Sequence, residues 1–336
     1  MIWRAIMARS RIRYLALGLL GVVIQGAGGC AGPGDGDTGA GSEAPESDWV
    51  PVDPDAFISA DSSQILADLR FLASDGTEGR RTGTRGADRA RVYILTAFQR
   101  HNLDPPPGGF VQPFEFRSRR DTSLLSGGEN VVGVVPGTEP EAGSIVISAH
   151  FDHVGIRGGE VYNGADDNAS GTAALLSFAR YFRRFPLRHR LVLAALDAEE
   201  MGSWGAEAFV EAGWADGVVL NVNMDMVSRS DSLLFAAGPY HYPELRPPLE
   251  AVAARSPVVL RFGHDEPGVE GMTDWTNSSD HRAFHRQGIP FVYFGVENHE
   301  DYHRPTDDFE KIDPTFFLNA VRTILAGVLA LDEELK

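Results

Sequence analysis

Acids and histidines recur in five short stretches: His150-Phe151-Asp152, Gly164-Ala165-Asp166-Asp167, Asp197-Ala198-Glu199-Glu200, Met224-Asp225-Met226 and Tyr302-His303. Carboxylates and imidazoles together make an oxygen and nitrogen donor set that suits a pair of zinc-like cations. A carboxylate shared between two such cations holds them close enough to act on one bond. The chemistry that follows is metal-assisted hydrolysis.

Each stretch has an ordinary reading beside the chemical one. A ligand imidazole uses one ring nitrogen for metal and needs a partner to fix the other, and Asp152 stands two residues from His150 for that purpose. Asp166 and Asp167 precede a helical pattern and could simply cap it. Two adjacent aspartates after Gly164 exceed what a cap requires, so Asp166 is the candidate to give one oxygen to each cation. Glu199 and Glu200 follow an apolar run, where paired carboxylates are costly unless a metal or proton relieves them. Neighbours in extended backbone point opposite ways, so one can ligate while the other faces the attacking water. Asp225 between two methionines is a poor place for an unpaired charge, and His303 follows Tyr302. His153, His264, His285 and His299 read instead as surface or hydrogen-bonded histidines. Ser148, Ser170 and Ser279 carry no triad argument stronger than the metal one.

The elements that must position these residues alternate between strand and helix. Asp61 or Ser62 is expected to cap a helix with Ile65, Leu66, Leu69 and Leu72 at helical spacing, and Ala90 to Phe98 repeats that spacing. Phe110 to Phe116 alternates like an edge strand, where Pro113 is tolerated. Strands are expected over Asn130 to Val135, Ser144 to Ser148, Leu191 to Leu196, Val218 to Val222 and Pro290 to Phe294. Helices are expected over Ser170 to Phe185 and from Pro314, the latter with Phe317, Val321, Ile324 and Val328 on one face. Alternation of this kind predicts an α/β fold of three layers, α/β/α, around a mixed, mostly parallel sheet. Functional residues of such sheets collect beyond the carboxyl ends of the strands, where all five stretches fall.

Composition narrows the rest. At 336 residues, 43% hydrophobic and 23% charged, the chain is ordinary for a globular protein, and a net charge of -17 argues against a nucleic-acid surface. Arg4, Arg9, Arg11 and Arg13 precede an apolar run from Tyr14 to Ile24, then small residues and Cys30. This reads as a secretory leader over 1–29, too short to span a bilayer comfortably. Ala27-Gly28-Gly29-Cys30 resembles a bacterial lipobox without its usual leucine, so membrane contact is expected only through lipid on Cys30, in the cell envelope. Residues 30–57 are rich in Gly, Pro and acids and are expected to form a flexible tether. One catalytic domain, 58–336, follows.

Several motifs resemble one known family. They are Glu78-Gly-Arg-Arg-Thr-Gly-Thr84, Ser148-Ala-His-Phe-Asp-His-Val-Gly155, Asn163 to Gly171, Asp197 to Gly202, Asn223-Met-Asp-Met226, Ser279-Asp-His281 and Tyr302-His303. Together the chain from about Leu66 to Leu331 resembles the zinc aminopeptidases that include bacterial leucyl aminopeptidase and aminopeptidase Y, without the protease-associated insert some members carry. The resemblance implies a zinc-exopeptidase-like fold, two Zn2+ per chain and a peptide substrate with a free amino terminus. It makes His150 and Asp225 ligands of one zinc, Glu200 and His303 ligands of the other, and Asp166 the bridge. It also implies that Glu199 is the general base, that Asp152 orients the histidine ligand, and that the Asp166–Asp167 peptide is cis. Ser279-Asp280-His281 matches an element near the site, expected to be structural support. Competing readings are a single-zinc glutaminyl-peptide cyclotransferase, a related metallocarboxypeptidase, and a non-catalytic zinc-binding envelope lipoprotein.

Overall fold

The first helix starts earlier than its apolar spacing suggests. In the computed structural model, which describes residues 53–117 and 125–335, α1 runs Pro54–Leu72, with the Asp53 carboxylate accepting from Asp55 N and Pro54 in the first turn. Proline suits that place because its missing N–H would be unsatisfied there anyway. Phe57 and Ile58 are buried, so the last residues assigned to the tether belong to the folded domain. Asp61, expected as a cap, instead holds Arg180 through a 2.8 Å hydrogen bond. The leader, Cys30 and nearly all of the tether lie outside the described residues.

After α2 (Arg85–Arg100), two strands form a hairpin, β1 (Val111–Arg117) and β2 (Leu125–Val135). Then come β3 (Ser144–His150), the short pair β4 (Gly155–Arg157) and β5 (Glu160–Tyr162), α3 (Gly171–Arg184), β6 (Arg190–Leu196) and α4 (Trp204–Glu211). The chain continues through β7 (Val218–Met224), β8 (Leu233–Ala237), α5 (Arg246–Ala253), β9 (Val259–Phe262), α6 (His281–His285), β10 (Phe291–Gly295) and α7 (Pro314–Glu334). Eight strands make one sheet in the order β1-β2-β6-β3-β7-β10-β8-β9. Its centre, β6-β3-β7-β10, is parallel; β1, β2 and β8 pair antiparallel to their inner neighbours, and β9 lies parallel to β8. Pro113 sits on the edge strand, where its missing donor costs least.

Alternation along the central strands makes the layers. Ile145 and Ile147 of β3 and Leu191, Leu193 and Ala195 of β6 enter the larger core with α1, α2, α3, α5 and α7. Val146, Val192, Ala194 and Leu196 face the other way, onto Ala206 and Phe209 of α4 and Phe284 of α6. A period of two puts successive residues on opposite faces, so strands covered on both sides become apolar throughout. All of β3 is buried. The apolar stripe of α7, with Phe317, Val321, Ile324 and Val328, lies in the larger core.

Candidate metal centre

Register brings the first donors together. β3 and β7 are parallel neighbours with Ser148 opposite Asn223, and His150 and Asp225 each stand two residues further on. His150 Nε2 is 3.2 Å from Asp225 Oδ1 and 3.4 Å from Asp167 Oδ1. These three buried side chains form an inner donor group.

The second group gathers around the other oxygen of the same carboxylate. Asp167 Oδ2 is 2.9 Å from His303 Nε2 and 3.7 Å from His153 Nδ1. Glu200 Oε1 lies 2.7 Å from His153 Nδ1 and 3.2 Å from His303 Nε2. Donor atoms of His153, Asp167, Glu200 and His303 all fall within 4.8 Å of one another.

Asp167 therefore takes the place expected of Asp166. The Asp166 carboxylate is turned away: it accepts from Ser228 N at 2.8 Å and Ser228 Oγ at 2.7 Å, and lies 3.1 Å from His299 Nε2. The cis peptide is likewise one residue later than expected, between Asp167 and Asn168. A kink in Ala165–Ser170 sets this register: Asp167 (φ -104, ψ 96) and Asn168 (φ -131, ψ 48) leave helical backbone, and Gly164 before them has φ 54. A Cβ on Gly164 would lie 2.1 Å from Asp167 O and 2.5 Å from the His153 ring, so only glycine lets the turn and the imidazole approach. Asn168 locks the turn to the end of β7, donating from Nδ2 to Met224 O at 2.9 Å and accepting from Met226 N. Asp307 accepts from Asp166 N and Asp167 N.

His153, which its sequence context marks as a bland histidine, is the donor that was missed. It is fully buried; Nε2 has no hydrogen-bond partner among the described residues, and Nδ1 meets only the carboxylates of Glu200 and Asp167. Glu200 Oε1 is buried against the His153 and His303 imidazoles alone. Burying a carboxylate and imidazoles together is costly, and a cation held by His153 and Glu200 would satisfy both. The donor set of carboxylate and imidazole thus fits a pair of zinc-like cations. His264 and His285 keep the ordinary role expected of them, bonded to Thr273 O and the Tyr242 hydroxyl.

Arg80 ties the supporting loops together. Wholly buried, it donates to Phe151 O at 2.7 Å, Asn163 O at 2.6 Å, Gly164 O at 3.0 Å and Leu72 O. Burial lowers its pKa to about 10, which still leaves it cationic at neutral pH. The segments carrying His150, His153 and Asp167 are thereby cross-linked by one side chain.

Glu199 and Glu200 separate as expected, by a different route. Their backbone is not extended: Ala198 has φ 60, and the turn is held by Asp152, whose carboxylate accepts from Glu199 N at 2.9 Å and Glu200 N at 3.3 Å. Asp152 approaches His150 Nδ1 chiefly through its backbone carbonyl, at 3.1 Å, its carboxylate being 3.7 Å away. Thr82 Oγ1 donates to Asp197 at 2.8 Å and lies 3.3 Å from Asp152. Burial, then the Asp152 charge, push the Asp197 carboxyl up to about 8.

The electrostatics sort the two glutamates. Burial raises the Glu199 pKa well above the usual range, and the His150 charge only partly offsets the acids Asp280, Asp225 and Glu200. Its Oε1 accepts from Ser203 Oγ at 3.1 Å. Burial also disfavours charge on Glu200, but His153 and His303 outweigh it and hold the group ionised. Burial alone would lower the His303 pKa, yet Asp167 and Glu200 raise it to about 10. A carboxylate poised to take up a proton thus sits beside one fixed as an anion.

Comparison with known proteins bears on family and fold. Residues 130–328, more than half of the chain, match peptidase family M28. Aminopeptidase YwaD of Bacillus subtilis (strain 168) is 26% identical over 218 residues, covering 60% of this chain and 44% of that protein. A vacuolar membrane protease of Schizosaccharomyces japonicus is 32% identical over 150 residues, 42% of this chain and 17% of its own length. The chain therefore spans less than half the length of either relative. Among solved structures, BSAP, a zinc aminopeptidase from Bacillus subtilis, superposes with a TM-score of 0.66 at 17% identity, covering 82% of this chain and 98% of its own. A glutaminyl cyclase from Bacteroides thetaiotaomicron gives a TM-score of 0.63 at 17% identity, covering 80% of this chain and 97% of its own. At such identities the likeness is one of fold, and the fold is shared by a hydrolase and a cyclase.

Proposed function

This chain belongs to peptidase family M28, and from that premise we propose that it is an aminopeptidase with two zinc ions per chain. The observation that carries the proposal is the Asp167 carboxylate, with one oxygen in each donor group. In this reading His150, Asp167 and Asp225 hold the inner cation, and Asp167, Glu200, His303 and His153 hold the outer one. Zinc bound there would supply Lewis acidity, polarising a peptide carbonyl and acidifying water.

The chain's own residues do the rest. Glu199 takes the proton from the attacking water on its carboxylate and returns it to the leaving amine. The Ser203 hydroxyl holds one of its oxygens in place. Asp152 fixes the turn on which both glutamates ride. The acidic surroundings of Asp225, Asp280 and Glu199 suit a substrate's free ammonium group, which favours removal of single amino-terminal residues.

An intact inner group favours hydrolysis over the single-zinc cyclase reading, because a cyclase would leave His150 and Asp225 without a cation. The test is metal analysis of the purified protein alongside a panel of amino-acid anilides and amino-terminal glutamine peptides. Two zinc ions and released amino acid are expected; one zinc with pyroglutamate product would reverse the reading. Envelope placement through lipid on Cys30 belongs to the same proposal, and metabolic labelling with a fatty-acid analogue, lost in Cys30→Ser, tests it.

A further inference from the structure

Beside the outer donor group lies a cavity of about 310 Å³ whose lining joins His153, Glu200 and His303 to two cations, Arg81 and Arg157. In a chain of net charge -17, a pair of arginines at the edge of an acidic centre is a local reversal of sign. Both are exposed, and neither has an ion-pair or hydrogen-bond partner among the described residues for its guanidinium. Glu160 stands directly across the β4–β5 pair from Arg157 without closing a salt bridge, and the Arg157 guanidinium instead lies 5.8 Å from the Tyr162 ring centroid.

The acids of this cavity are already committed. Asp152 accepts from the Glu199 and Glu200 amides, and Glu200 lies among the imidazoles of the outer group. Unspent charge there is therefore positive. The two arginines also share one footing: a Cβ on Gly155 would lie 2.6 Å from Arg81 Cβ, so the Arg81 stem packs on that side of β4. Arg157, two residues along β4, lines the same cavity as Arg81. Two guanidiniums in one cavity make a planar, multiply donating receptor suited to a carboxylate.

We propose that Arg81 and Arg157 bind a carboxylate of the substrate, giving the enzyme a preference for peptides with a negative charge near the scissile bond. This rests on the peptidase reading of the same site. The carboxylate has two sources, an acidic amino-terminal side chain or the free carboxyl end of a dipeptide.

Steady-state hydrolysis by the zinc-loaded full chain separates them. Glutamyl and leucyl p-nitroanilides form one substrate pair, Leu-Gly and Leu-Gly-amide the other. In at least one pair the charged member should be preferred, and Arg81→Gln with Arg157→Gln should lower that preference in kcat/KM about tenfold, chiefly through KM. The preference should weaken as salt is raised, and Arg157→Glu should lower it further than Arg157→Gln. Which pair responds identifies the carboxylate. Turnover of leucyl p-nitroanilide with the same charge discrimination in all variants overturns the arginine proposal alone. No turnover of any of the four substrates by the unmutated protein overturns the peptidase reading and this inference with it.

Discussion

The inner and outer donor groups share Asp167 but are built by different parts of the molecule. His150 and Asp225 end adjacent parallel strands, so hydrogen-bonded register sets their spacing and the sheet holds them rigid. The outer donors come from loops: His153 beyond β3, Glu200 in a turn after β6, and His303 after β10 with φ 54 and a side chain 38% exposed. The inner group is a buried product of topology. The outer one lines a cavity, and its shape depends on backbone conformations that few residues adopt and on Arg80 pinning two loops at once.

Removing the shared carboxylate should have the largest effect. Asp167→Asn is expected to empty both groups and to lower kcat/KM more than any other substitution here, by on the order of 10⁴-fold. Asp166→Asn, one residue away, should retain both cations in metal analysis. Equal metal loss in the two variants would contradict the assignment of the bridge. Next in size, Glu199→Gln should keep two cations per chain while turnover falls about 10²–10⁴-fold, the usual worth of a general base. Full activity in that variant would remove Glu199 from the mechanism.

His153→Ala sharpens the contrast between the groups. Calorimetric zinc titration should show outer affinity weakened by about 10–100-fold or more with inner affinity close to unchanged, since His150, Asp167 and Asp225 are untouched. If the inner affinity falls instead, His153 does not belong to the outer group. An effect on stability and not on turnover lies behind the inner group, where burial lowers the His281 pKa to about 4 and Nε2 lies 2.8 Å from Trp275 O. An imidazole neutral in the fold but titrating near 6.5 when unfolded contributes stability above pH ~6.5, and that contribution drains as pH falls towards about 4. Urea unfolding should show this loss, up to on the order of 3 kcal/mol, and His281→Gln should flatten it. An unchanged slope would mean His281 takes up its proton equally in both states.

Most of the frame was legible from the chain alone because it rests on periodicity. Apolar runs at 145–147 and 191–196 read as buried strands, and Val146 and Ile147 divide between the two cores. The strands β8 and β9 were not read because they are short, five and four residues, with little alternation to mark them. The α1 start was misplaced because Asp53-Pro54 lies at the end of a polar, acidic stretch that resembles a tether, and only packing of Phe57 and Ile58 shows otherwise.

At the site, donors on strand ends were legible and donors on loops were less so. His150 and Asp225 follow from strand register. Choosing between Asp166 and Asp167 required the kinked backbone after Gly164, non-helical at Asp167 and Asn168, which has no periodic signature. His153 was passed over because His150 and Asp152 already satisfied the pattern. Its one signal was position, three residues beyond His150 and immediately before a glycine-bounded hairpin. Arg80 looked like half of a turn motif, and only its four carbonyl acceptors reveal a cross-link between loops.

Anomalous diffraction at the zinc edge from zinc-loaded crystals tests the dinuclear centre most directly. Two peaks about 3.5–4 Å apart are expected, with Asp167 contributing one oxygen to each and His153 beside the outer one. A single peak, or a pair of peaks joined through Asp166, would contradict the account.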